Sequence, residues 1–489
     1  MDRFRAAYDA ERFRAEAHRL VDVLADYLGG AVAGRARDGA ALAVLPATDA
    51  PALVREWTAR LADEAAGDVV ATVERVLAQS NHLHHPRYVG HQVPPPLPVA
   101  ALADLVAALL NNGMAVYEMG PVATALEAVV LRWMADRLGY PGAAGGVLTS
   151  GGSLGNLTAL LAARQRRAGF DAWRGGAHAG PPLAILASEQ AHYSVARAAH
   201  VMGFGADGVV AVACDDRFRL APADLPDALR RAERAGRRAI AVVASSGSTA
   251  TGAYDRLPEI ADFCERHGLW LHVDAAHGAA AALAPRHRAL VAGIDRADSV
   301  VWDAHKMMLV PALVTGVVFR DARSSGAAFA QEASYLFAER AGETAASWDV
   351  GERTVECTKR MLGLIAFAAI AGDGEGLLRE FVERSFSLAR WFSAMLRAAP
   401  DFEVAVEPDG NIVCFRHRPP GIAGDEALDR VQARVRSALV ARGSFYLVQT
   451  RLRGRLFLRT ALMNPLTGEA ELAELADAVR VAAREAASL

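Results

Sequence analysis

The sequence predicts an α/β protein with a mostly parallel central sheet covered by helices, preceded by a helical segment and followed by a small α+β domain. Two observations predict it. From about residue 147 to 320, short apolar strands alternate with helical stretches, the texture of a sheet buried on both faces. The residues with the most reactive side chains fall just past the ends of those strands, where open α/β sheets collect ligands.

Residues 1 to about 80 carry three helical patterns, FRAEAHRLVDVLADYL, PALVREWTARLADEA and DVVATVERVLAQS. The prolines of NHLHHPRYVGHQVPPPLP forbid regular helix and predict an extended loop. Helical patterns resume in VAALADLVAALLNNGMAVYEM and PVATALEAVVLRWMADRLG. Strands are then expected at GVLTS, LAILASE, GVVAVAC, AIAVVASS, LWLHVDAA, SVVWDAH and GVVFR, with helices between them. A long helical stretch is expected from near 352, and strands at EVAVEP, NIVCFR and GRLFLRTAL in the last part. Boundaries near 95 and 371 therefore divide the chain into segments 1–95, 96–370 and 371–489.

A chain of 489 residues has length enough for a large core. Its net charge of -3, with no concentrated basic tract, argues against nucleic-acid binding. No uninterrupted apolar run has the length of a membrane span, and the charged opening MDRFRAAYDAERFRAEAHRL does not read as a secretory leader, so the cytoplasm is the expected location. The four cysteines are too scattered for a disulfide framework or a thiolate metal site, and each is expected to be a small apolar residue. His82, His84, His85 and His91 match no metal-ligand spacing, so no metal is expected.

Lysine usage is the informative oddity. Of 53 basic residues only Lys306 and Lys359 are lysines; arginine supplies every other positive charge. A lysine amine condenses with an aldehyde, whereas a guanidinium does not. Lys359 sits in GERTVECTKRMLGL, where an amphipathic helix accounts for it. Lys306 instead follows the strand SVVWD, beside Asp303 and His305, and is the stronger candidate for chemistry.

Other candidates follow the same rule of position. In GVLTSGGSLGN, Gly151, Gly152 and Ser153 would open a helix and present N–H groups to an anion, with Asn156 capping or reinforcing the turn. Asp274 ends WLHVD, where a carboxylate caps the next element or pairs with a protonated pyridine nitrogen. His192 follows another strand, as a helix-start residue or as a ring able to stack and to carry a proton. Arg459, on the apolar strand GRLFLRTAL, calls for a carboxylate partner.

Taken in order, HPRYVGHQ, TSGGSLGN, SEQAHYS, WLHVDAAHG and DSVVWDAHKMM resemble the group II pyridoxal-phosphate-dependent decarboxylases, which include glutamate, cysteine-sulfinate, aromatic amino-acid and diaminobutyrate decarboxylases. The resemblance covers most of the chain, and the stretch from WLHVDAAHG to DAHKMM looks most like the glutamate and cysteine-sulfinate branch. It implies the fold type I architecture and the cofactor pyridoxal 5'-phosphate. Carried over by position, Lys306 resembles the Schiff-base lysine, Asp274 the partner of the ring nitrogen, and His192 the stacking histidine, these three being catalytic. Ala276 resembles the residue packing on the opposite ring face. Gly152 and Ser153 resemble phosphate binders, with Asn156, Ser248, Thr249, Asp303 and His305 around them. His91, with its neighbour Gln92, falls where relatives contact substrate, and Arg459 resembles the arginine supporting a substrate carboxylate. The resemblance further implies a homodimer with its site at the subunit interface and N-terminal helices wrapping the partner.

The expected reaction is decarboxylation of a small acidic or polar amino acid to an amine. Two positions depart from the family pattern. Asp303-Ala304 stands where relatives often have Asn-Pro, placing a second carboxylate in the site. The loop YLFAERAGETAASWD has no tyrosine between Tyr335 and Trp348, where relatives carry one that reprotonates the carbon left by CO2. Other outcomes thus stay open: an aldehyde by oxidative decarboxylation, carbon–carbon lyase or substitution chemistry, transamination, or action on an aromatic amino acid.

Overall fold

The computed structural model describes residues 2–62, 67–326, 328–329 and 348–487. By compactness the chain forms two units: Met1–His91 with Trp391–Ala405 and Cys414–Leu489, and Gln92–Arg390 with Val406–Val413. The sequence places boundaries near 95 and 371; the units change at His91–Gln92 and near Arg390, and the first and last parts of the chain share one unit.

The larger unit is built on seven strands: β1 (Gly145–Thr149), β2 (Leu183–Ser188), β3 (Val209–Val212), β4 (Arg238–Ser245), β5 (Trp270–Asp274), β6 (Ser299–Asp303) and β7 (Thr315–Phe319). Their order is β1-β7-β6-β5-β4-β2-β3. Strands β3, β2, β4, β5 and β6 run parallel, and β7 is antiparallel to both β6 and β1. The expected texture is present: β2 and β6 are buried along their whole length. Apolar runs such as LAILA have no solvated face, as a sheet with helices on both sides requires. The core includes Ile185, Val243, Val301 and Val317 from the strands and Ala159, Leu160 and Ala198 from the covering helices. Alanine on those helices lets them lie close to the sheet.

Helix boundaries follow local chemistry. The helix Pro121–Leu138 begins at a proline, whose missing N–H costs nothing there, and ends on Gly139 at φ 80°. The helical stretch expected from near 352 starts later. A short 3-10 turn at Val350–Glu352 is followed by irregular backbone, and regular helix runs over Leu362–Gly372 and Gly374–Ala398. Lys359 therefore lies on no amphipathic helix. Its ammonium is buried, 2.8 Å from Glu127 Oε1, and also donates to the Leu148 carbonyl. A tertiary ion pair decides the backbone there, against local helical preference.

The other unit contains the N-terminal helices Ala10–Val32, Ala50–Ala62 and Val69–Gln79. A four-stranded sheet, all but Ile412 and Val413 of which belongs to this unit, has the order β10-β11-β9-β8, with β8 (Phe402–Val404), β9 (Ile412–His417), β10 (Val448–Leu452) and β11 (Arg455–Ala461). Strand β10 was not expected, because VQTRL is short and largely polar; it is an edge strand. Of the cysteines, Cys264 and Cys414 are buried as expected, whereas Cys214 is half-buried and Cys357 exposed. Among the described residues no helix is long and apolar enough to cross a membrane, and no group of three or more His, Cys, Asp or Glu could hold a metal.

Candidate active site

A cavity of about 240 Å³ opens at the carboxyl ends of the parallel strands, within the larger unit. Five strand ends contribute to it. Ser150, Gly151, Gly152 and Ser153 follow β1, His192 follows β2, and Ser245, Gly247, Ser248 and Thr249 end or follow β4. Asp274, Ala276 and His277 come from β5, and Asp303, His305 and Lys306 from β6. The structure thus brings together Lys306, His192, Asp274, Gly152, Ser153, Asn156, Ser248, Thr249, Ala276, Asp303 and His305. Ser245, Gly247 and His277 were not singled out from sequence, although their position at strand ends was signal enough for the first two.

Lys306 is held by Asp303, its Nζ lying 2.8 Å from Oδ2. The other oxygen, Oδ1, accepts from Thr315 Oγ1 at 2.5 Å, and His305 Nε2 stands 3.6 Å from Oδ2. Burial pushes the Asp303 carboxyl up, but Lys306, His305 and the hydrogen bonds outweigh it, and the net shift is downward. The carboxylate that departs from the family pattern is therefore a buried counter-ion. Gly152 is needed beside it: a Cβ there would lie 3.0 Å from both Asp303 carboxylate oxygens.

Asp274 is fixed by a backbone and a side-chain donor. The Ala276 N–H donates to Oδ1 at 3.2 Å, and Asn156 Nδ2 donates to Oδ2 at 2.9 Å. Asn156 lies one turn into the helix Gly152–Arg167, fully buried, and its amide also donates to Ser194 Oγ at 2.9 Å. It reaches Asp274 on β5 and Ser194 on a neighbouring helix instead of capping its own helix. His192 is the N-cap of Tyr193–Val201, its Nδ1 accepting the Ser194 N–H at 3.3 Å and lying 2.8 Å from Ser194 Oγ. Burial lowers its pKa from the ordinary value.

His91, Gln92 and Arg459 do not line this cavity. His91 and Arg459 belong to the other unit, where Arg459 is buried on β11 and its Nη1 donates to the Gly90 carbonyl at 3.4 Å. The His91 ring centroid lies 5.6 Å from that of Tyr446, and burial, with Arg459 and Arg436 nearby, lowers its pKa. The tyrosine-free stretch 336–347 lies outside the described residues.

The donor set suits pyridoxal phosphate. A primary amine, an acceptor-only carboxylate and a glycine-lined helix N-terminus share one cavity, matching an aldehyde, a ring nitrogen and a phosphate. The comparisons agree. Residues 55–418 match the pyridoxal-dependent decarboxylase conserved domain. The chain is 31% identical over 451 residues to cysteine sulfinic acid decarboxylase of Mus musculus, covering 88% of this chain and 91% of that protein. The crystal structure of the mouse enzyme superposes with a TM-score of 0.89 at 27% identity, over 97% of this chain and 99% of that one. An Oryza sativa enzyme crystallised with the cofactor and tryptamine gives a TM-score of 0.86 at 26% identity, over 98% and 99%. The chain belongs to the pyridoxal-dependent decarboxylases, fold type I enzymes that use pyridoxal 5'-phosphate to remove CO2 from amino acids.

Proposed function

We propose that this enzyme decarboxylates a small acidic or polar L-amino acid, with Lys306 as the residue that carries the cofactor. The observation that carries the assignment is the placement of Lys306 Nζ in one cavity with Asp274 and the Gly152–Ser153 turn. Of the two lysines, Lys359 is engaged by Glu127 and the Leu148 carbonyl, away from that cavity. When bound, pyridoxal phosphate supplies an aldehyde that condenses with amines and a ring that accepts the electron pair left by departing CO2.

The chain's own residues do the rest. Asp303 pairs with the Lys306 side chain, 2.8 Å away, until the cofactor arrives. Asp274, held by two donors, would accept from the ring nitrogen of the bound cofactor and so keep the ring electron-poor. His192 and Ala276, which line the cavity, would flank the ring. Gly152, Ser153, Ser248, Thr249 and His305 would receive the phosphate, while Asp303 holds Lys306 and His305 and Asn156 holds Asp274.

The substrate class rests on the likeness to cysteine sulfinic acid decarboxylase, whose name states an acidic substrate. A second reading is favoured by one sequence fact, the absence of tyrosine between Tyr335 and Trp348. In that reading the carbon left by CO2 is not reprotonated to an amine but is oxidised by dissolved oxygen, and an aldehyde leaves with ammonia and hydrogen peroxide. The enzyme is proposed to be a cytoplasmic homodimer. Exposed Leu102, Leu105, Leu109, Val122 and Val129 on the helices Pro98–Leu110 and Pro121–Leu138 support a covered face.

The deciding experiment is mass-spectrometric product analysis of the cofactor-loaded enzyme with a mixed amino-acid pool in air. An amine with loss of CO2 is expected, and it names the substrate. A keto acid without CO2 loss would move the protein to transamination; an aldehyde would support the second reading.

A further inference from the structure

Directly behind Asp274, two residues earlier on the same face of β5, lies the fully buried His272. On the roles proposed above for Asp274 and His192, we propose that Asn156 and His272 are positioning residues that set the hydrogen-bond polarity of the whole site. Together they hold Asp274 as a pure acceptor and His192 as the neutral tautomer with its proton on Nε2.

The argument runs along one chain of contacts whose ends have fixed polarity. At one end the Asp274 carboxylate can only accept, so the amide group facing its Oδ2 at 2.9 Å is the NH2 of Asn156. The Asn156 carbonyl then faces His272 Nε2, 2.9 Å away, and that nitrogen must carry a hydrogen. His272 Nδ1 is left as an acceptor for Ser299 Oγ at 2.9 Å. At the far end the Trp270 indole can only donate, and it does so to Ser299 Oγ at 2.8 Å, leaving the serine hydrogen free for His272. Burial presses the His272 pKa down to about 4, consistent with a neutral ring.

The second amide hydrogen of Asn156 goes to Ser194 Oγ at 2.9 Å. The Ser194 hydroxyl hydrogen is then directed to His192 Nδ1, 2.8 Å away, and the Ser194 N–H points at the same nitrogen. Two donors converge on Nδ1, so the His192 proton sits on Nε2. Adding a second proton at Nδ1 would set it against the Ser194 N–H. One buried amide thereby orients the carboxylate proposed for the ring nitrogen and the ring proposed to stack on the cofactor.

The test reads ring-nitrogen shifts by NMR in histidine-labelled full-length protein, without cofactor and then loaded, with His192 assigned through its loss in His192→Gln. A neutral Nε2–H pattern at neutral pH is expected for both His192 and His272. A proton on His192 Nδ1, or a charged ring, overturns the proposal, and this readout needs no variant of the relay. His272→Phe keeps bulk but removes both hydrogen bonds, whereas His272→Gln keeps a donor toward Asn156. The Phe variant should bind pyridoxal phosphate roughly tenfold more weakly or worse, because Asn156 is no longer held in its hydrogen bond to the Asp274 carboxylate, and the Gln variant should recover most of that. Wild-type affinity together with unchanged His192 shifts in His272→Phe also overturns it. Undiminished cofactor binding in both Asp274→Ala and His192→Gln would instead remove the roles on which the relay rests, whatever the tautomers prove to be.

Discussion

Lys306 Nζ stands 2.8 Å from Asp303 Oδ2, and the carboxylate belongs to the last residue of the strand that delivers the lysine. A buried anion three residues before the reactive amine gives the enzyme a charge partner for it before cofactor binds. Replacing Lys306 with Ala should abolish the visible band of lysine-bound cofactor and leave Asp303 buried without its partner. The loss in stability expected from breaking such a pair is about 3–5 kcal/mol. An unaltered imine spectrum in Lys306→Ala would falsify the assignment.

The same pair has a pH signature. Asp303 has a folded-state pKa below its ordinary value, so its ionisation stabilises the fold above the unfolded-state pKa, about 3.9. That contribution is lost as pH falls through the lower, folded-state value. Urea titrations of cofactor-free protein should therefore show a drop in stability on the acid side of about pH 4 that is smaller in Asp303→Asn. Equal acid sensitivity in both proteins would contradict the pairing.

Asp274→Ala removes the acceptor proposed for the ring nitrogen. We expect weaker cofactor retention and a fall in kcat of at least about a hundredfold, on the scale of groups that stabilise developing charge. Cofactor titration by absorbance and steady-state rates separate the two effects. Turnover at the wild-type rate would show that Asp274 serves only to receive the Asn156 amide.

Lys359 and Glu127 form a second buried pair, both side chains almost wholly removed from water. The Leu148 N–H also donates to Glu127 Oε1 at 3.0 Å, so the pair ties the start of the helix region after residue 361 to β1. Lys359→Ala strands the Glu127 carboxylate and should cost about 3–5 kcal/mol in denaturant unfolding. Combining Lys359→Met with Glu127→Gln, which keeps an acceptor for Leu148, should recover a large part of it. No recovery in the double variant would mean that the charge pair itself stabilises the fold.

The apolar face on Pro98–Leu110 and Pro121–Leu138 makes a simpler prediction. Leu105→Glu with Leu109→Glu should shift the sedimenting species from dimer toward monomer, since both side chains are exposed in the single chain and neither is a core residue. A wild-type protein that sediments as a monomer would remove the proposed dimer.

Much of the site was legible before the fold was known, because strand ends mark it. Lys306, Asp274, His192 and Ser153 each follow an apolar run, and the run's local composition places the strand. Asn156 was legible only as a turn residue, and its actual partners explain why: Ser194, His272 and Asp274 lie 38, 116 and 118 positions away. Lys359 misled for the same reason. Its local pattern reads as a helix face, and its partner Glu127 is 232 positions earlier.

The sequence by itself determined the order of most elements and the strand ends at which the cavity residues fall, Lys306 among them, since each depends on neighbours within a few residues. The tertiary structure alone decided which side chains share hydrogen bonds. A carboxylate's charge state, an amide's orientation and a histidine's tautomer are set by whatever group stands 3 Å or so away in space, and burial removes the water that would otherwise satisfy them.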